Sequence, residues 1–200
     1  HDDIPGSGAT IQLGLVQTFL LDRVRVLYDS ASTKAALICV QVGVSTLAAN
    51  DVTFRDCQFW AGDFAGTQIA VDFSTGGSGC GAYRFYNTQM KTNATDGIGL
   101  RFNNSTIIDT VFLGPGTVFE DCKTSLQKNS GAGEVANLYA NQVVFDSATT
   151  CCVRCEPAGL NRTWSFDGCW FSAGTGGVAL LFSNSNGGTC EGISVRNSPV

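Results

Sequence analysis

The sequence predicts an all-β protein in which one short arrangement of strands is repeated as the coils of a β-solenoid. The main observation is a strand–corner–strand pattern that recurs at intervals of 21 to 34 residues. Repeats with periods of roughly 20–50 residues are typical of solenoids, propellers and arrays. An irregular period around a constant short core favours the solenoid, because its loops vary without disturbing the stack.

The composition supports the same prediction. Charged residues make up only 14% of the chain, and 24 of its 200 residues are glycine. Many turn-forming residues with few charges are typical of an all-β protein and argue against a disordered tail. The formal net charge of -5 makes nucleic acid an unsuitable partner, since phosphate binding needs clustered Lys and Arg. No apolar run is long enough to span a membrane.

Residues 52–59 show the repeated pattern most clearly. Val52 and Phe54 alternate with polar residues, and so do Cys57 and Phe59. This alternation indicates half-buried strands. Asp56 interrupts it, which predicts a tight corner between two short strands.

Further copies of the pattern are anchored on apolar residues: Phe85, Phe119, Phe145, Phe166 and Val195. We expect the four phenylalanines of this set, with Phe54, to stack in one continuous core. The corner position holds Asp56, Asn87, Asp121, Gly168 and Asn197. Asn, Asp and Gly tolerate the left-handed backbone of such a corner. The residues after the corner are small, as a sharp bend requires: Cys57, Thr88, Cys122, Ala148, Cys169 and Ser198.

A second kind of strand follows each corner pattern after a variable loop. Ile69–Phe73, Ile98–Phe102 and Val178–Phe182 align residue for residue, and 36–42 is of the same kind. Between Leu126 and Cys155 its position stays open, with Leu138, Tyr139 and Val153 as candidates. In this alignment Asp72 and Arg101 occupy the same outward position, so we expect an exposed pair on neighbouring coils.

These elements give the predicted domain organisation. Residues 1–19, with Pro5, Gly6 and Gly8, are interpreted as a linker or cap without a visible leader. Residues 20–200 are predicted to form the solenoid domain of about seven coils. At about 4.8 Å per coil, this is a rod of roughly 34 Å.

The pattern resembles the right-handed parallel β-helix of the pectate-lyase-like superfold, over most of residues 20–200. Members of that superfold commonly carry a ladder of polar residues, often Asn, at the tight corner. Here Asp56, Asn87, Asp121 and Asn197 fall at that position.

Few residues suggest chemistry. The single histidine is His1, so a Ser-His-Asp or Cys-His relay inside the fold is excluded. Residues 152–155 have CxxC spacing, but no second pair completes a structural zinc site, and we predict no metal and no cofactor. Of the nine cysteines, Cys57, Cys122 and Cys169 are expected in the core. Cys80 and Cys190 are interpreted as loop cysteines that react or form bridges.

The carboxylates leave open whether the chain is an enzyme. Glycoside cleavage needs two carboxylates facing one groove, and the spacing of Asp63, Asp96, Asp109 and Glu134 selects no pair. Asp72 and Arg101 are interpreted as a salt-bridge ladder, with a catalytic pair as the alternative.

The tryptophans are more informative. Trp164 is predicted to point inward, Trp170 outward, and Trp60 to open a loop. An outward Trp stacks on a sugar ring or packs against another chain. Leu181, Val118 and Val144 are further outward apolar positions, which favours packing against a second chain.

The combination resembles bacteriophage tailspike or tail-fibre proteins. That resemblance implies a virion protein that is structural or receptor-binding, a homotrimer, and contact with cell-surface polysaccharide through residues such as Trp170, Trp60, Leu181, Asp72 and Arg101. One alternative is a polysaccharide depolymerase, either a hydrolase or a lyase. The other is a non-viral secreted protein, either a pectin-modifying enzyme or an adhesin.

Overall fold

A computed structural model describes residues 9–14, 16–27, 38–43, 49–62, 67–73, 81–92, 96–103, 107–129, 133–156, 160–184 and 187–200. Every regular element in these ranges is a β-strand. His1, Asp63 and Cys80, which the sequence analysis singled out, lie outside the described residues.

Three parallel sheets form the molecule. The first sheet contains β1 (Ala9–Leu13), β4 (Ile38–Val42), β7 (Ile69–Phe73), β10 (Ile98–Phe102), β13 (Thr124–Lys128), β16 (Cys151–Cys155) and β20 (Val178–Phe182). The second contains β2 (Val16–Asp22), β5 (Ala49–Arg55), β8 (Ala82–Tyr86), β11 (Ile108–Leu113), β14 (Val135–Asn141), β18 (Thr163–Asp167) and β22 (Ile193–Arg196). The third contains β3 (Arg25–Leu27), β6 (Gln58–Trp60), β9 (Gln89–Lys91), β12 (Val118–Glu120), β15 (Val144–Ala148) and β19 (Trp170–Ala173).

Each coil contributes one strand to each sheet in turn, so the chain is a parallel β-solenoid and the predicted fold class is confirmed. Among the described residues there are six complete coils and two strands of another, slightly fewer than the seven expected. A separate pair of short strands, β17 (Leu160–Asn161) and β21 (Thr189–Cys190), lies in the loops. Strands β1 and β2 pair with β4 and β5, so the sheets extend into the segment interpreted as linker or cap.

The coil has two kinds of tight corner. The single corner position predicted from the sequence contains residues of both kinds. Asp56, Asn87 and Gly168 lie between the second and third sheets, Asn197 follows the last strand of the second sheet, and all four have positive φ. Asp121 also has positive φ, but it follows β12 and lies between the third and first sheets. Its assignment to the first kind of corner was therefore wrong. At both corners a left-handed residue precedes a buried small residue, such as Cys57 or Cys122.

The phenylalanine anchors form one continuous core, as predicted, because all five are fully buried in a single cluster. They occupy two columns, however. Phe54 and Phe85 stack in the second sheet with their ring centroids 4.5 Å apart. Phe119 and Phe145 stack in the third sheet at 5.0 Å, and Phe145 stacks on Phe171 at 5.0 Å. The two columns meet where Phe145 contacts Phe166 edge-on.

The strand left open between Leu126 and Cys155 is also located. Val153 lies in β16, beside Leu126 of β13 in the first sheet. Leu138 and Tyr139 belong to β14 of the second sheet.

Candidate functional site

The residues singled out from the sequence lie on two different outer faces. Asp72, Arg101 and Leu181 occupy one row on the first sheet. Trp60 and Trp170 lie on the third sheet. The structure therefore does not bring all five residues together in one site.

The row on the first sheet is mostly polar. Its members, each paired with the next in the hydrogen-bonded register, are Gln12, Gln41, Asp72, Arg101, Gln127, Arg154 and Leu181. Arg101 donates from Nε to Asp72 Oδ1 at 2.7 Å and from Nη2 to Asp72 Oδ2 at 3.1 Å. The predicted adjacency of Asp72 and Arg101 is confirmed, and the contact is bidentate.

The predicted exposure of this ion pair was wrong. Asp72 is only 1% exposed, and the Arg101 side chain is 20% exposed. The alternation of a strand gives the direction of a side chain but not what covers it. The Arg101 guanidinium holds both carboxylate oxygens of the buried Asp72, so we interpret the pair as a structural contact.

The third sheet carries a continuous outer row, which we call the outer strip. Its members, in order along the solenoid, are Arg25, Gln58, Gln89, Val118, Val144 and Trp170. Five coil spacings separate the two ends, a length of about 24 Å. Trp170 is 53% exposed, which confirms its predicted outward direction. Val118 and Val144, in the middle of the strip, are half-buried.

An open groove of about 580 Å³ runs beside the first half of the outer strip. It is lined by Arg23, Arg25, Asp56, Cys57, Gln58, Asn87, Gln89, Gly116 and Val118. The groove therefore lies between the corner residues and the strip. Asn87 Nδ2 donates to Asp56 Oδ1 at 2.7 Å, so the polar ladder expected at this corner is present for these two coils.

A charged cluster adjoins the strip. Lys91 Nζ lies 2.7 Å from Glu120 Oε1 and 2.9 Å from Asp121 Oδ2. Hydrogen bonding to Glu120, and then to Asp121, raises the pKa of Lys91. Gln89 Nε2 donates to the other oxygen of Glu120 at 2.5 Å.

Lys91 also determines the environment of Trp60. Its Nζ lies 5.5 Å from the centroid of the Trp60 ring, a cation–π contact. Trp60 lies within β6 and is half-buried, so it belongs to a strand and does not open a loop. With the cation over its ring, Trp60 is a poorer stacking surface than Trp170. The cluster around Lys91 was not predicted from the sequence, because the contacts of Lys91 depend on which coils are neighbours.

The cysteines expected in the core are there: Cys57, Cys122 and Cys169 are fully buried. Burial raises the pKa of Cys122 to about 12. Cys152 and Cys155, which have the CxxC spacing, lie buried in β16. Within the described ranges, no three His, Cys, Asp or Glu residues are grouped so that they could hold a metal ion. Cys190 is half-buried at the end of β21.

Among the residues placed by the structure, no helix is long and apolar enough to cross a membrane. No protein-family model, curated protein or solved structure matches the chain.

Proposed function

We propose that this chain is a polysaccharide-binding segment of a bacteriophage virion appendage, a tailspike or tail fibre, wound as a right-handed β-helix and assembled as a homotrimer. The observation that supports polysaccharide binding is the outer strip, in which an exposed Trp170 ends a row that begins beside an open groove lined by amide and charged side chains. The appendage and the trimer rest on the resemblance in fold pattern.

The chemistry of the strip suits a linear glycan that runs along the solenoid axis. Gln58 and Gln89 line the groove, and side-chain amides both donate to and accept from sugar hydroxyls. The apolar face of a sugar ring packs against an aromatic side chain, as Trp170 offers. Arg25 supplies positive charge at the other end, beside Arg23, which pairs with Asp22; this charge favours an acidic sugar there.

Binding is favoured over cleavage by the ion pairing of two carboxylates beside the strip. Glu120 and Asp121 share the Lys91 ammonium, and the raised pKa of Lys91 keeps it charged. A glycosidase needs one protonated carboxyl group as its general acid, whereas Glu120 and Asp121 both face the Lys91 ammonium as acceptors. A depolymerase remains the alternative, and release of oligosaccharide is the outcome that would support it.

The proposal is tested on an array of bacterial capsular and O-antigen polysaccharides. We expect the wild-type chain to bind at least one of them, and Trp170→Ala and Gln58→Ala each to weaken binding tenfold or more. Tyr139→Ala is the matched control, because Tyr139 is exposed on the second sheet, away from the strip. Loss of binding in the control, or full binding by Trp170→Ala, would exclude the outer strip as the site.

A further inference from the structure

Two cysteines from different parts of the chain face each other near the last coils. Cys155 ends β16 and Cys190 ends β21. Their Sγ atoms lie 3.4 Å apart. An S–S bond is about 2.05 Å long, so the two sulfurs need to approach by about 1.4 Å for a bond to form.

A buried cation lies at the same place. Lys128 ends β13 and pairs in register with Cys155 in the first sheet. Its side chain is fully buried, and its Nζ donates to the Asn129 carbonyl oxygen at 3.1 Å. An ammonium in a solenoid interior is costly unless negative charge or polar groups surround it. Burial lowers the pKa of Lys128, whereas negative charge on Cys155 and on Cys190 acts to raise it, so a thiolate at either cysteine favours the ammonium.

The two thiols differ in acidity. The hydrogen bond between the two Sγ atoms, and then the positive charge of Lys128, lower the pKa of Cys190. The same hydrogen bond, together with burial, raises the pKa of Cys155. Elsewhere burial dominates, as at Cys57, Cys122 and Cys169, whose pKa values are all raised. Cys190 is thus the more acidic thiol of the pair.

Cys190 is also within reach of solvent. It lines an open depression of about 420 Å³ with Phe182, Ser183, Asn184, Gly188, Thr189 and Ile193. Cys155 is fully buried behind it. A small reagent therefore meets Cys190 first.

We propose that Cys155 and Cys190 are a redox-active pair that forms a reversible disulfide by exchange with a small-molecule disulfide, tying β21 to the first sheet. Cys190 loses its proton, and the resulting thiolate attacks one sulfur of the reagent, whose S–S bond breaks and releases one thiolate. Cys155 then loses its proton and attacks the Cys190 sulfur of the mixed disulfide, which releases the second thiolate. The protein loses two protons and two electrons, and the reagent is reduced to two thiols.

The disulfide closes a loop across the last coils and reduces the freedom of the unfolded chain. We expect oxidation to raise the midpoint of thermal unfolding by roughly 5–10 °C. Dithiothreitol reverses the change.

The experiment incubates the reduced whole chain with oxidised glutathione and identifies cross-linked peptides by mass spectrometry. We expect a peptide linking Cys155 to Cys190, absent in Cys155→Ser and Cys190→Ser and retained in Cys80→Ser. The wild-type measurement needs no variant, so a folding defect in a variant leaves the test intact. Glutathione held on Cys190 without the cross-link, or Cys190 linked to another cysteine, would overturn the proposal.

The role of Lys128 is tested separately with Lys128→Met. The rate of Cys190 alkylation by iodoacetamide is measured against pH by peptide mapping. If the ammonium stabilises the thiolate, the midpoint of this profile rises in Lys128→Met and the rate at pH 7 falls roughly tenfold, a shift of about one pKa unit. An unchanged profile would remove Lys128 from the mechanism.

Discussion

At the scale of single residues, Asp72 and Arg101 have a different role from that of an ordinary surface ion pair. Exposed ion pairs contribute about 0–1 kcal/mol because water and salt screen them. Asp72 is buried, and its two oxygens are taken by one guanidinium. The pair therefore matters chiefly through the cost of breaking it.

We expect Arg101→Met to lower the free energy of unfolding by about 3–5 kcal/mol, because it leaves the Asp72 carboxylate buried without its cation. Chemical denaturation of wild type and variant measures this change. Arg55→Met is the matched control, since Arg55 pairs with Asp22 at 2.8 Å on an exposed part of the surface, and little change is expected there. A loss below about 1 kcal/mol for Arg101→Met would show that the pair is solvated after all.

The direction of individual side chains could largely be predicted from the sequence, and their burial could not. Trp170 was expected to point outward and Trp164 inward, and both do. Asp72 also lies in an outer row of its sheet but is buried. Alternation reports only on which side of a strand a residue lies, whereas burial depends on neighbouring coils and loops.

At the scale of elements, both tight corners follow the same local rule. A residue with positive φ, such as Asp56 or Asp121, is followed by a small buried residue. Because the rule is local, it identifies corners without showing which sheets they join. The repeat is therefore visible in the sequence, but its two corners look alike. The predicted alignment of Phe119 with Phe85 is wrong, because Phe119 pairs with Met90 and Phe145.

The missed corners have a related cause. Arg23 and Gln142 also have positive φ at the corner before the third sheet, although neither residue type is typical there. Their backbone N–H groups bond to carbonyls of the next coil, Arg55 and Asp167. These hydrogen bonds to the neighbouring coil outweigh the backbone preference of Arg and Gln. The sequence of a single repeat does not show which residues make them.

Double-mutant cycles distinguish the two alignments. We expect Phe119→Leu and Phe145→Leu to show a coupling of about 0.5–1.5 kcal/mol, because their rings stack at 5.0 Å. Phe85→Leu with Phe119→Leu is the matched control and should be nearly additive. Coupling found only between Phe85→Leu and Phe119→Leu would support the alignment of Phe119 with Phe85 and contradict the observed register.

A single truncation in the same column tests the core itself. Phe119→Ala should lower the free energy of unfolding by about 3–5 kcal/mol, as measured by denaturant titration. Val118→Ala, one residue earlier on the outer strip, should cost much less, since Val118 is only half-buried. Equal costs would place Phe119 outside a packed interior.

At the scale of the whole molecule, the outer strip exists only because coils stack in register. Its residues lie in six different strands of the third sheet. Each was visible in the sequence, but their common row depends on the pairing between coils. The strip could therefore not be predicted from the sequence, although the outward direction of Trp170 at its end could.

The proposed trimer makes a separate prediction. Exposed apolar side chains on the last described coil, Val178, Leu181, Ile193 and Val195, support lateral or end-on packing against further copies. Sedimentation velocity at micromolar concentration should give the mass of three chains, and Leu181→Asp should shift the protein toward monomer. Thr53→Asp, half-buried on the outer face of the second sheet, is the control. A monodisperse wild-type monomer would contradict the assembly.

Iodide quenching of tryptophan fluorescence tests the central claim, polysaccharide binding along the outer strip, most directly. Trp164 is buried and Trp60 is half-buried under Lys91, so iodide should act mainly on the exposed Trp170. With a polysaccharide retained on the array, we predict that quenching falls in wild type and that Trp170→Phe shows no glycan-dependent change. Unchanged quenching by a polysaccharide that binds, or the same protection in Trp170→Phe, would place the site elsewhere on the molecule.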